Sequence, residues 1–191
     1  MSLGPDDRPG TERILGIDPG TVATGWGIVE MTAGKLVHVD HGTITSSAGL
    51  PQGMRLKRIY HGLCEVIARR RPAGVSLEKV FFAQNAASAL KLGQARGVAL
   101  LAAAEARVPI AEYTPAEIKR AVVGFGRAEK PQVGQMVKLL LGLAAPPSPH
   151  DAADALAVAI CHIHSATGPV ARAASGTTGA SKLTTWRAYR P

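Results

Sequence analysis

Four acidic residues stand where packing alone does not ask for an acid. Asp18 ends the apolar stretch Arg13-Ile14-Leu15-Gly16-Ile17 and is followed at once by Pro19-Gly20, which places it at a strand end beside a tight turn. Glu78 sits among Val75, Leu77, Val80 and Phe81 in a β-rich run. Asp151 and Asp154 fall three residues apart, on one face of a helix otherwise built from Ala, Leu, Val and Ile. Three of the four have an innocent reading. Asp-Pro-Gly is ordinary turn chemistry, Glu78 on an edge strand can face water, and Ser148 with Asp151 fits a capping box. Asp154 has none, because it lies past the first turn of a helix that must bury most of its surface. Carboxylates brought together repel unless a cation lies between them. An oxygen-only set suits the hard ions Mg²⁺ and Mn²⁺ rather than zinc. The chain carries 22 Lys plus Arg against 14 Asp plus Glu, a net charge of +8, which favours a polyanionic partner such as nucleic acid. Four acids in so basic a chain suit two-metal hydrolysis of a phosphodiester. One ion would activate water and the other would stabilise the leaving 3′ oxygen, giving a 5′ phosphate.

Those acids need elements to hold them. After the strand ending at Asp18, Gly25 to Glu30 reads as a second strand of a hairpin, and Lys35 to Ile44 alternates apolar and polar as a third. Met54, Leu56, Ile59, Tyr60, Leu63, Val66 and Ile67 recur at helical spacing, and that helix stops before Pro72. Gly74 to Phe82 is the fourth strand, reached by a helical crossover and therefore parallel to the first, so that Glu78 and Asp18 meet at neighbouring strand ends. A long Ala-rich helix follows over Asn85 to Ala106, with Gly93 and Gly97 on one face. Glycines cost a helix roughly 1 kcal/mol each, so something packs close to them, either the sheet beneath or the same helix of a second subunit. Val108 to Tyr113 is a short fifth strand, and Thr114-Pro115 caps a helix running to Val122 or Val123. The Gly-rich basic loop Gly124 to Lys130 suits phosphate contact and leads into a helix from Pro131 to Leu141. The last helix carries Asp151 and Asp154. The predicted fold is an α/β sandwich around a mixed five-stranded sheet, three antiparallel strands and then parallel ones.

One domain over residues 13–164 fits the 191-residue length and the 46% hydrophobic composition, between a leader over 1–12 and a basic tail over 165–191 rich in Ser, Thr, Gly and Ala. Trp186 and Tyr189 in that tail are candidates for base stacking, with no special role as the alternative. Cys64 and Cys161 lie in apolar helical patterns and read as buried, reduced thiols. His38, His41 and His61 lack metal-ligand spacing. No apolar run approaches a membrane span and no basic-then-apolar leader is present, so the expected location is the cytoplasm, with no membrane partner.

Four stretches in order, Gly16-Ile17-Asp18-Pro19-Gly20, Glu78-Lys79-Val80-Phe81, Ser88-Ala89-Leu90-Lys91-Leu92-Gly93-Gln94-Ala95-Arg96-Gly97 and Asp151-Ala152-Ala153-Asp154-Ala155-Leu156, closely resemble the bacterial RuvC Holliday junction resolvases. The resemblance runs from about Arg13 to His164. It implies a ribonuclease H-like fold, a homodimer, Mg²⁺ dependence, and paired nicks in four-way junction DNA in concert with the RuvA and RuvB branch-migration machinery. By motif, the catalytic and metal-binding positions are Asp18, Glu78, Asp151 and Asp154, with His150 adjacent to the third. Lys119 and Lys130 match DNA-contacting cations, and Phe81 matches an aromatic that stacks on a junction base. Two other readings compete. A noncatalytic junction-binding protein of the same fold would not need four intact acids, and an actin-like or sugar-kinase-like ATPase would need a second lobe and a second phosphate loop.

Overall fold

The computed structural model describes residues 12–79 and 86–167. Strands β1 (Glu12–Asp18), β2 (Ala23–Thr32) and β3 (Lys35–Thr45) form an antiparallel meander. Helix α1 (Gln52–Arg70) then crosses to β4 (Gly74–Glu78), which pairs parallel to β1. Helix α2 (Ala86–Glu105) leads to β5 (Ile110–Tyr113), parallel to β4, and α3 (Pro115–Val123), α4 (Lys130–Leu140) and α5 (His150–Thr167) complete the chain. The sheet order is β3-β2-β1-β4-β5, with the first strand at the centre.

Period-2 alternation sorts the strand side chains into two cores. Leu15, Ile17, Ile28, Val75 and Leu77 pack with Ile59 and Leu63 of α1 and with Ala95, Ala99 and Ala102 of α2. Ile14 and Val29 point the other way, into a core completed by α3, α4 and α5. Burying this much aliphatic surface contributes roughly 25 cal/mol for each Å² removed from water, which fixes the register of a strand buried on both faces.

Helix α5 comes unusually close to the sheet, and three glycines allow it. A Cβ at Gly16 would stand 2.0 Å from the Ala155 carbonyl oxygen, one at Gly25 would stand 1.9 Å from that of Asp151, and one at Gly27 would stand 2.6 Å from Leu156 Cγ. Gly16 and Gly27 are direct cross-strand partners, so they form a flat floor under the helix backbone. Glycine is the residue that permits such backbone approach.

Several expectations shift. β4 ends at Glu78 rather than Phe82, and β5 starts at Ile110 rather than Val108, because the Val108 N–H is used to close the end of α2 on the Ala103 carbonyl at 3.0 Å. Helix α4 already includes Lys130, since Glu129 caps it and Gln132 returns a side-chain bond to the Glu129 N–H. The Ser148–Asp151 capping box is not seen: the Pro149 carbonyl accepts from the Ala152 and Ala153 N–H groups, and among the described residues no bond joins the Ser148 side chain to α5. Gly93 and Gly97 are exposed on α2, and a Cβ added at either would meet nothing within 4 Å, while Ala95 and Ala99 take the inward positions. The sheet beneath is therefore not what those two glycines serve. Glu12 opens β1 and residues 165–167 extend α5, while Phe81, Phe82, residues 1–11 and the tail beyond 167 lie outside the described residues.

Candidate active site

Strand pairing sets the first two acids side by side. The β1–β4 register runs through Ile17 and Leu77, so the next residues of each strand, Asp18 and Glu78, lie adjacent at the carboxyl end of the sheet. Asp18 has the same strand parity as Ile14 and Gly16, which face α5. Its cross-strand partner is Gly25, the glycine on which the Asp151 backbone rests. The glycine floor thus brings the first turn of α5 down onto the end of β1. One turn on, Asp154 joins the group.

The fields between the acids show their proximity. Burial pushes the Asp18 carboxyl up to about 7, helped by the negative charges of Asp154, Glu78 and Asp151 and opposed by Lys130. Glu78 is raised by burial and by Asp154, against the pull of Lys130 and Lys119. Lys130 donates from Nζ to Asp154 Oδ2 at 3.0 Å, and that bond, with the charges of Asp18 and Glu78 behind it, raises the ammonium above its ordinary value. Lys130 and Asp154 are 24 residues apart, and no sequence periodicity announces the pair.

Three acids elsewhere are neutralised. Arg13 meets Glu30 at 3.0 Å, Arg70 meets Asp40 at 2.5 Å, and Arg96 meets Glu112. Among the described residues, Asp18, Glu78 and Asp151 make no ion pair. An uncompensated, partly buried carboxylate is costly, and three beside one lysine form a site short of positive charge. The donor chemistry fits a hard divalent cation, since all four side chains offer oxygen. Among the described residues no three His, Cys, Asp or Glu side chains already close into a cation cage, so the acids share a field without yet converging on one point. His150 is exposed at the start of α5 and makes no hydrogen bond to these acids among the described residues.

A further anchor was not evident from the sequence. Tyr113 ends β5 opposite Glu78, and its hydroxyl lies 2.8 Å from His162 Nδ1 on α5. Burial holds the His162 imidazole below its ordinary pKa, which favours the neutral ring that can accept the Tyr113 proton. The contact ties the strand beside Glu78 to the helix that carries Asp151 and Asp154.

A family model described as crossover junction endodeoxyribonuclease RuvC matches residues 14–162. The crossover junction endodeoxyribonuclease RuvC of Syntrophotalea carbinolica is 58% identical over 152 residues, covering 80% of this chain and 94% of that protein. Its counterpart in Chloroflexus aggregans is 53% identical over 154 residues, covering 81% and 94%. Among solved structures, Thermus thermophilus RuvC in complex with Holliday junction substrate is similar with a TM-score of 0.77 at 38% identity, covering 81% of this chain and 94% of that one. A yeast mitochondrial Holliday junction resolvase, at 14% identity and a TM-score of 0.56, shares the fold alone. With the match running over residues 14–162, a span that includes all four acids, the chain belongs to the RuvC family of crossover junction endodeoxyribonucleases.

Proposed function

We propose that this chain is a structure-selective endodeoxyribonuclease that resolves four-way DNA junctions by paired, symmetric nicks, leaving 5′-phosphate and 3′-hydroxyl ends in recombination and repair. The observation that carries the reading is the group of Asp18, Glu78, Asp151 and Asp154 around one under-neutralised strand end, in a chain of net charge +8. RuvC-family nucleases are metal-dependent. Asp18, Glu78, Asp151 and Asp154 would hold Mg²⁺, or Mn²⁺ in its place, as two ions per site. Such ions supply electrophilic activation of the scissile phosphate and of the attacking water.

The protein's own groups do the rest. Asp18, the innermost acid and the one that feels the other three, would lend its carboxylate to holding such ions. Glu78 and Asp154 flank it from β4 and α5, and Asp151 completes the set from the first turn of α5. Lys130 is 80% exposed at its side chain and releases Asp154 readily when a phosphate arrives, moving its charge onto the DNA backbone. Lys119 lies close enough to Glu78 to act on its titration, so it stands ready for a neighbouring phosphate. Phe81 would stack on a junction base.

The working unit is a homodimer. Gly93, Gly97 and the exposed Leu90 and Leu101 lie on α2 away from its buried alanine face, a surface suited to a twofold contact. Two sites related by twofold symmetry match two like strands of a junction. RuvA and RuvB are the expected partners for delivery to the branch, and the cytoplasm is the expected compartment. No helix among the described residues is long and apolar enough to cross a membrane. The test is a labelled synthetic four-way junction incubated with the protein and Mg²⁺, with a linear duplex of the same sequence beside it. The expected result is a pair of nicks in opposed strands of the junction and an intact duplex. Equal cutting of both substrates would remove the structure selectivity, and no cutting of either would remove the nuclease reading.

A further inference from the structure

The loop between α3 and α4 holds an exposed aromatic that neither the fold nor the four acids account for. Gly124, at φ +94°, caps α3 through its N–H on the Arg120 carbonyl. Gly126 lies against Ala116, where a Cβ would stand 3.4 Å from the carbonyl oxygen. Ala128 is buried at 1% exposure, and Glu129 caps α4. The loop is therefore anchored at Gly124, Gly126, Ala128 and Glu129. Between these anchors Phe125 is 49% exposed. An apolar ring held out on a fixed loop is available to a partner and costs the folded chain hydrophobic contact it could have had.

The loop's position says what partner. Ala116, under Gly126, lies in the first turn of the helix that carries Lys119 near Glu78. At the other end, Lys130 reaches Asp154. Lys130 lies five positions after Phe125, so their Cα atoms lie at most about 18 Å apart, within a few nucleotides of a phosphate held at the acids. Arg127 lies between them in the same loop. An aromatic ring interleaved with cations is the composition that grips an unpaired strand, the cations on phosphates and the ring on a base.

We infer that Phe125 stacks on a nucleobase left open at the branch of the DNA, close to the scissile phosphate, and helps to hold the cleaved strand in place. The inference rests on the nuclease reading above and adds a contact to it. Stacking needs a π face, not merely apolar bulk, which separates it from a packing role. With Ca²⁺ in place of Mg²⁺, Phe125→Ala and Phe125→Leu should each weaken binding of a four-way junction by at least roughly five-fold, while Phe125→Tyr and Phe125→Trp stay within about two-fold of wild type. The salt slope of binding should not change, because no phosphate contact is lost. With Mg²⁺, the loss in Phe125→Ala should appear mainly in KM. A junction carrying 5-iododeoxyuridine near the cut should photo-crosslink to residue 125 in the wild-type chain and not in Phe125→Leu.

Wild-type binding by Phe125→Ala, or full rescue by Leu, would overturn the inference while leaving junction cleavage by the wild type intact. A wild-type chain that neither binds nor cuts junctions would overturn the nuclease reading and this inference with it.

Discussion

At the scale of single residues, the site is defined by charge that the protein leaves uncompensated. Asp18 titrates near 7 against an ordinary 3.8, chiefly through burial and then through three neighbouring acids. With its folded pKa above its unfolded one, Asp18 keeps a proton in the folded chain across the window from about 4 to 7. The folded state binds more protons there, so stability falls as pH rises through that window. Asp18→Asn removes this penalty. Without divalent ions, the variant should match wild type near pH 4 and exceed it at pH 8 by up to roughly 4 kcal/mol in urea unfolding. Mg²⁺ should close the gap by stabilising wild type alone, and a variant no more stable than wild type at pH 8 would mean that Asp18 is not crowded by its neighbours. The cations carry a parallel expectation. Lys119→Ala and Lys130→Ala should each lower the salt slope of junction binding by about one unit and slow cleavage, whereas unchanged slopes and rates would return both lysines to solvated charges.

At the scale of elements, the seating of α5 on β1 and β2 decides where Asp151 and Asp154 stand. Gly16→Ala would place a methyl group inside the Ala155 carbonyl, so α5 must lift or tilt. The expected cost is about 3 kcal/mol, at the upper end for an overpacked core, read as a lower urea midpoint together with lost cleavage. Gly134→Ala in α4 meets open space and should instead stabilise by about 0.5–1 kcal/mol. Equal responses at the two positions would contradict the glycine floor. The sequence showed the strands through their alternation and the helices through their period, and Asp18, Glu78 and Asp154 through acids in apolar surroundings. It did not show why α5 lies where it does, because Gly16, Gly25 and Gly27 read as strand residues until a helix is set upon them. Nor did it show the end of β4, since Val80-Phe81-Phe82 continues the β-rich composition past Glu78. The Lys130–Asp154 and Tyr113–His162 contacts depend on tertiary proximity, which no local pattern encodes.

At the scale of the whole molecule, a basic chain gathers acids at one end of its sheet and leaves a small-residue face on α2 at its surface. On the proposed reading, the first arrangement would draw in a polyanion and gather cations at one phosphate, and the second would serve a twofold dimer on a substrate with twofold symmetry. Replacing Gly93 with Leu puts bulk on that face without touching the acids. Light scattering should then report a folded monomer, and a cruciform plasmid should be nicked once rather than linearised. A Gly93→Leu protein that stays dimeric would move the subunit contact elsewhere. Whether the four acids carry the cleavage is decided by Asp18→Asn and wild-type protein on one labelled four-way junction with Mg²⁺, following binding and cleavage in the same samples. Undiminished junction binding with cleavage abolished is the expected result. Cleavage by Asp18→Asn at a rate near that of wild type would contradict the assignment of the site.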